Sequence, residues 1–128
     1  MAIFQDLNDS GGNTHSRETA PCRSFVMFNG TGTVSVFTSF KLSSITDAGT
    51  GHYRINLSNA NPNNTYCCLA TGTGGNSSGG TATCDSTSFN GNGSNYPNSS
   101  TSYQIRAVSG TGANQDMQWI NTATWRVN

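Results

Sequence analysis

Four cysteines, two histidines and six carboxylates are the side chains of this chain best equipped for covalent, metal or acid–base chemistry. Cys67 and Cys68 are adjacent, so in a strand their side chains point to opposite faces. No Cys-x-x-Cys pair exists to clamp a tetrahedral metal. A disulfide from Cys84 to Cys67 or Cys68 is geometrically possible, but synthesis in a cytosol disfavours it before release. Cys22, Cys67, Cys68 and Cys84 are therefore expected to be buried free thiols. His15 precedes the main apolar pattern and His52 opens a strand. The acids Asp6, Asp9, Glu18, Asp47, Asp85 and Asp116 form no close pair in sequence, and Asp47 falls in a turn, where Asp serves the backbone. There is no His-Glu-x-x-His pair or phosphate-cradling Gly-Lys-Ser/Thr. Thr71-Gly72-Thr73-Gly74-Gly75 lacks the lysine and helix start of a phosphate loop. The chain is expected to be no enzyme, with no catalytic or metal-binding residue and no cofactor.

The elements that would position any binding surface read as strands. From Cys22 to Leu57 the apolar residues alternate in short runs: Cys22 to Phe28, Thr33 to Phe40, Ser43 to Ile45 and His52 to Leu57. Asn29-Gly30-Thr31-Gly32 and Thr46 to Gly51 supply the positive-φ positions of tight reversals. The stretch reads as a β-meander in which Phe25 shares a face with Met27, and Tyr53 with Ile55 and Leu57. Thr65 to Ala70 and Thr81 to Ser86 read as further strands. Ser102 to Val108 places Tyr103, Ile105 and Ala107 on one face. Met117 to Val127 is the last strand, with Trp119, Asn121, Ala123 and Trp125 on one face and Ile120, Thr122 and Thr124 on the other. Both of its faces are partly apolar, which suits a strand between a core and a subunit contact. Strands at this spacing, with no convincing helix, predict an antiparallel β-sandwich or jelly-roll-like domain.

Thr71 to Gly80 and Phe89 to Ser100 are long polar loops, a length that compact domains keep for function. Before the domain, Met1 to Ala20 holds Ile3, Phe4 and Leu7 within five positions, then a polar run broken by Gly11-Gly12. It reads as an extended N-terminal arm, residues 1–20, that docks on another subunit. Pro21 marks the entrance to a single domain over residues 21–128.

Composition limits the partners. Charged residues are 9% and the net charge is zero, with Arg17, Arg23, Lys41, Arg54, Arg106 and Arg126 scattered. Affinity for nucleic acid needs clustered cations. No apolar run approaches the roughly 18 residues of a membrane span. MAIFQDLNDSGG lacks the basic start and apolar stretch of a secretory signal, so synthesis in a cytosol is expected. Asn-x-Ser/Thr triplets such as Asn29-Gly30-Thr31 read as turn chemistry.

Cys22-Arg23, Phe25-Val26, Phe28 to Val34, Ser43 to Asp47, Gly49 to Gly51, Tyr53, Ile55 and Leu57 form the pattern CR-x-(aromatic)-V-x-F-N-G-T-G-T-V … S-S-I-T-D-x-G-T-G-x-Y-x-I-x-L. It resembles a domain of tailed-bacteriophage structural proteins, found mainly in phages of cyanobacteria and other aquatic bacteria. There it often forms the small C-terminal β knob of tail-fibre-like chains. Ser102 to Val108 and Trp119 to Arg126 match more weakly. The resemblance implies a virion structural protein, made in the host bacterial cytoplasm and carried on the particle surface as a homotrimer. With only some 20 residues before the domain, the chain reads as a capsid decoration (cement) protein that binds the major capsid protein or other virion proteins. Ile3, Phe4 and Leu7 would be its anchor. The alternative is a tail-fibre knob that recognises a host surface glycan or protein through Asn76, Phe89 and Tyr96 in the polar loops. A third reading is an unrelated small β module such as a lectin. Neither nucleic acid nor membrane is expected as a partner.

Overall fold

The structure is a computed structural model, and it describes residues 7–8, 14–15, 22–61, 66–74, 80–85 and 99–126. Among these residues there are ten strands and no helix: β1 (Leu7–Asn8), β2 (Thr14–His15), β3 (Cys22–Asn29), β4 (Ser35–Phe40), β5 (Leu42–Asp47), β6 (His52–Leu57), β7 (Tyr66–Thr73), β8 (Gly80–Asp85), β9 (Ser102–Ser109) and β10 (Trp119–Arg126). Eight of them form two four-stranded antiparallel sheets, β4-β3-β10-β7 and β5-β6-β9-β8. This is the expected β-sandwich. β1 and β2 pair with each other, Leu7 opposite His15.

Period-two alternation decides which side chains meet between the sheets. Tyr53, Ile55 and Leu57 of β6 and Tyr103, Ile105 and Ala107 of β9 are buried on one side of the core, as their spacing predicts. Val26 and Phe28 of β3, Ile120 of β10 and Met117 just before it cover them from the other side. Phe28 meets Tyr53 edge to face, with ring centroids 5.1 Å apart. Toward one end the inner face of the first sheet turns polar, and its hydroxyls bond one another. Ser24 and Thr124 are buried with oxygens 2.7 Å apart. Thr122 donates to the Leu69 carbonyl at 2.9 Å, and its oxygen lies 3.3 Å from the Tyr103 hydroxyl. Buried polar groups cost little when paired in this way.

The turns work as the sequence reading expects. Asp47 Oδ1 accepts from the Gly49 N–H at 3.0 Å, and Asn29 Oδ1 accepts from the Thr31 N–H at 2.9 Å.

The expected meander does not form as one ribbon. β3 pairs with β4, and β5 with β6, but β4 and β5 belong to different sheets. Lys41 alone connects them, in the left-handed region at φ 57°. A single residue is shorter than the usual two-residue hairpin loop, and the chain crosses the edge of the sandwich instead of pairing β5 with β4. The Ser58 N–H donates to the Lys41 carbonyl at 3.0 Å and fixes the corner.

The opposite edge is closed by a covalent bond, which corrects the expectation of free buried thiols. Cys68 in β7 and Cys84 in β8 form a disulfide, with Cα atoms 6.1 Å apart. They sit on the edge strands of facing sheets, within the range a disulfide spans. Cys22 and Cys67 are free, and both are exposed rather than buried.

A disulfide that closes a loop of this size contributes about 3 kcal/mol, mostly by restricting the unfolded chain, and here the two cysteines are 16 residues apart. The double variant Cys68→Ala/Cys84→Ala is expected to lose stability of that order, read as a lower urea midpoint. An unchanged midpoint would show that the bond does not hold the edge.

Candidate functional site

Two surfaces stand out from the frame: the outer face of the β4-β3-β10-β7 sheet and the loop cluster at one pole of the sandwich.

The outer face is built by register. Phe40, Phe25, Ala123 and Leu69 lie in one row across β4, β3, β10 and β7. Thr38, Met27, Asn121 and Thr71 form the next row. In the first row the short Ala123 sits between Phe25 and Leu69, and with Asn121 of the next row it floors a groove of about 370 Å³. Phe25, stacked on Phe40 at 6.0 Å, forms one wall, and Leu69, 59% exposed, stands on the other. Among the described residues, no charged side chain lines the groove. Beyond it, the register of β3 with β4 shifts between Met27 and Phe28 and leaves Phe37 without a partner. This bulge aims the Phe37 ring at Trp119, centroids 4.7 Å apart. Phe25, Val36, Phe37, Phe40, Leu69 and Trp119 are all exposed.

At the pole, the β3–β4 turn, the β5–β6 turn, the end of β7 and the β9–β10 connection surround a polar cleft of about 430 Å³. Its centre is Asp116. Oδ1 accepts from the Gly51 N–H at 2.7 Å and lies 2.7 Å from the Tyr53 hydroxyl, which is also 2.9 Å from the Gly30 carbonyl. The single phenolic proton goes to the carboxylate, since a charge-assisted bond is the stronger. Two glycines are required here. A Cβ at Gly30 would strike the Tyr53 hydroxyl, and one at Gly51, φ 69°, would strike the Ala107 carbonyl.

The residues singled out from the sequence fall differently. Ile3, Phe4, Asn76, Phe89 and Tyr96 lie outside the described residues, and Leu7 is described as a strand position in β1. No three His, Cys, Asp or Glu side chains gather to hold a metal among the described residues. The groove residues were not singled out. Their signal is present in β3, where Phe25 and Met27 alternate with Val26 and Phe28, so that both faces are apolar and both need cover. No family model, no curated protein and no solved structure matches the chain.

Burial raises the Tyr53 hydroxyl well above its ordinary value near 10, and the hydrogen bond to Asp116 and its charge add to that. Burial raises Tyr66 likewise and pushes Tyr103 up to about 12. The folded protein thus keeps protons that the unfolded chain releases near pH 10. Their contribution is complete below about pH 10 and is lost as pH rises through the folded values. The urea midpoint is expected to fall steadily above about pH 10, and less steeply in Tyr53→Phe. A midpoint flat from pH 9 to about 12 would contradict the burial of these hydroxyls.

Proposed function

We propose that this protein is a non-enzymatic structural protein of a bacteriophage virion, most specifically a capsid decoration (cement) protein that stabilises the head lattice as a homotrimer. The observation that carries this reading is the open apolar face with its groove. Soluble monomers rarely expose so many large apolar side chains on one face, and association would cover them. A second copy is the fitting occupant. The groove offers no charge to select a charged partner, and a chain of zero net charge has little self-repulsion to overcome. Three copies is the number implied by the resemblance to trimeric phage knobs. The disulfide supports a working life outside the cytosol, as on a released particle.

A trimeric cement protein acts by mass action. It binds the assembled lattice, and linked contacts add through effective concentration. Ile3, Phe4 and Leu7 are the proposed anchor to the major capsid protein. One feature favours the tail-fibre knob instead: the polar cleft at the pole, where a knob would present its recognition surface.

Sedimentation equilibrium is expected to give three times the 13.5 kDa chain mass. Phe25→Asp/Leu69→Asp should yield a folded monomer, as judged by circular dichroism. A monomeric natural sequence would overturn the assembly. Deleting residues 1–20 should leave the trimer intact and abolish its binding to phage heads, with unchanged binding counting against the anchor. Cryo-EM density at the fibre tips rather than over the head would favour the knob.

A further inference from the structure

The polar cleft has the chemistry of a saccharide site, and we infer that it binds a neutral sugar unit. The cleft is a different surface from the apolar groove, and the two meet only at Trp119.

The first support is preorganisation. Each loop around the cleft is tied to the β9–β10 connection. Gly30 donates to the Met117 carbonyl at 2.8 Å, Gln118 to the Gly74 carbonyl at 2.8 Å, and Gln115 to the Ala107 carbonyl at 3.0 Å. Gly51 donates to Asp116 Oδ1 at 2.7 Å. A site held in this way loses little entropy when a ligand arrives.

The second support is the donor and acceptor set. Asp116 spends Oδ1 on Gly51 and Tyr53, while Oδ2 makes no hydrogen bond among the described residues. The burial-raised Tyr53 stays a neutral donor, so it holds the carboxylate without competing for ligand. Arg106 Nε donates to Asn114 Oδ1 at 3.0 Å, which leaves the Asn114 amide N–H₂ as the outward donor. Gln118, Thr31 and Thr50 add an amide and two hydroxyls to the lining. Among the described residues, acceptors, donors and hydroxyls thus converge around a single carboxylate, with the Arg106 guanidinium held behind Asn114. Vicinal hydroxyls, each both donor and acceptor, match the set.

The third support is an aromatic platform at the rim. Trp119 packs against Gly74, its Cδ1 3.1 Å from where a Cβ on Gly74 would stand. The ring is 43% exposed and stacked on Phe37. A rigid aromatic face beside a polar cleft receives the C–H face of a pyranose while the hydroxyls turn to Asp116, Asn114 and Gln118.

The test is an amide NMR titration of the full chain with glucose, galactose, mannose, rhamnose and N-acetylglucosamine, each taken to tens of millimolar. At least one is expected to shift the Gly51, Asp116 and Gln118 amides and the Trp119 indole N–H saturably, with a Kd on the order of millimolar. Asn114→Ala/Gln118→Ala changes two exposed side chains, so its spectrum should stay folded while affinity drops about tenfold or more. Trp119→Ala should weaken the same sugar. If none of the five sugars moves these signals, or if the double variant binds as the natural chain does, the proposal is overturned.

Discussion

Two sheets of modest length stay in register only if their facing edges are held in line, and this sandwich holds both edges covalently. On one side the backbone itself crosses from β4 to β5 through Lys41. On the other, the Cys68–Cys84 bond joins β7 to β8. Between these seams the core is small, and part of its inner face is hydroxyl-bearing rather than apolar. A hydroxyl-bearing inner face buries less apolar area than an all-apolar one would. The seams therefore carry weight that a larger core would carry elsewhere, and they fix which residues face in and which face out.

The outer face follows from that alignment. With β10 pinned between β3 and β7, Ala123 has to lie between Phe25 and Leu69. The groove is thus a product of sheet register, not of loops that could rearrange. The polar cleft is a product of loops, but those loops are tied to a single connection through Gly30, Gly51, Gly74 and Gln115. Trp119 stands where the two surfaces meet, stacked on Phe37 and packed on Gly74. One residue in the central strand thereby links a face suited to assembly with a pole suited to recognition.

Strand content, the turns at Asn29 and Asp47, and the inward rows of β6 and β9 were legible in the sequence, because there one face is clearly more apolar than the other. β3 was harder. Val26 and Phe28 compete with Phe25 and Met27, and alternation cannot say which set is the core. The corner at Lys41 was invisible, because apolar residues continue on both sides of it and no glycine marks the turn. The bulge at Phe37 was hidden for the same reason: one extra residue shifts the period without breaking it. The Cys68–Cys84 pair needed the distance between two edge strands, which spacing along the chain does not contain. Gly32 and Gly51 have the positive φ that their turns predict, but the closeness of Gly30 to Tyr53 and of Gly51 to Ala107 came from tertiary packing. Asp116 gave no local sign at all, since its partners Gly51 and Tyr53 are over sixty residues away.

Adjacent thiols at 67 and 68 give the second seam a meaning beyond strength. A slip of β7 by one residue would bring Cys67 to the place of Cys68 and turn every neighbouring side chain to the opposite face. Leu69, which stands outside, would then point inward, and Ala70 outward. Oxidation through Cys68 traps the strand in the alignment that builds the groove, whereas oxidation through Cys67 would trap the mirror-faced alternative. Which sulfur of the vicinal pair remains a thiol thus marks the alignment of the edge strand: here Cys68 is bonded to Cys84 and Cys67 is free.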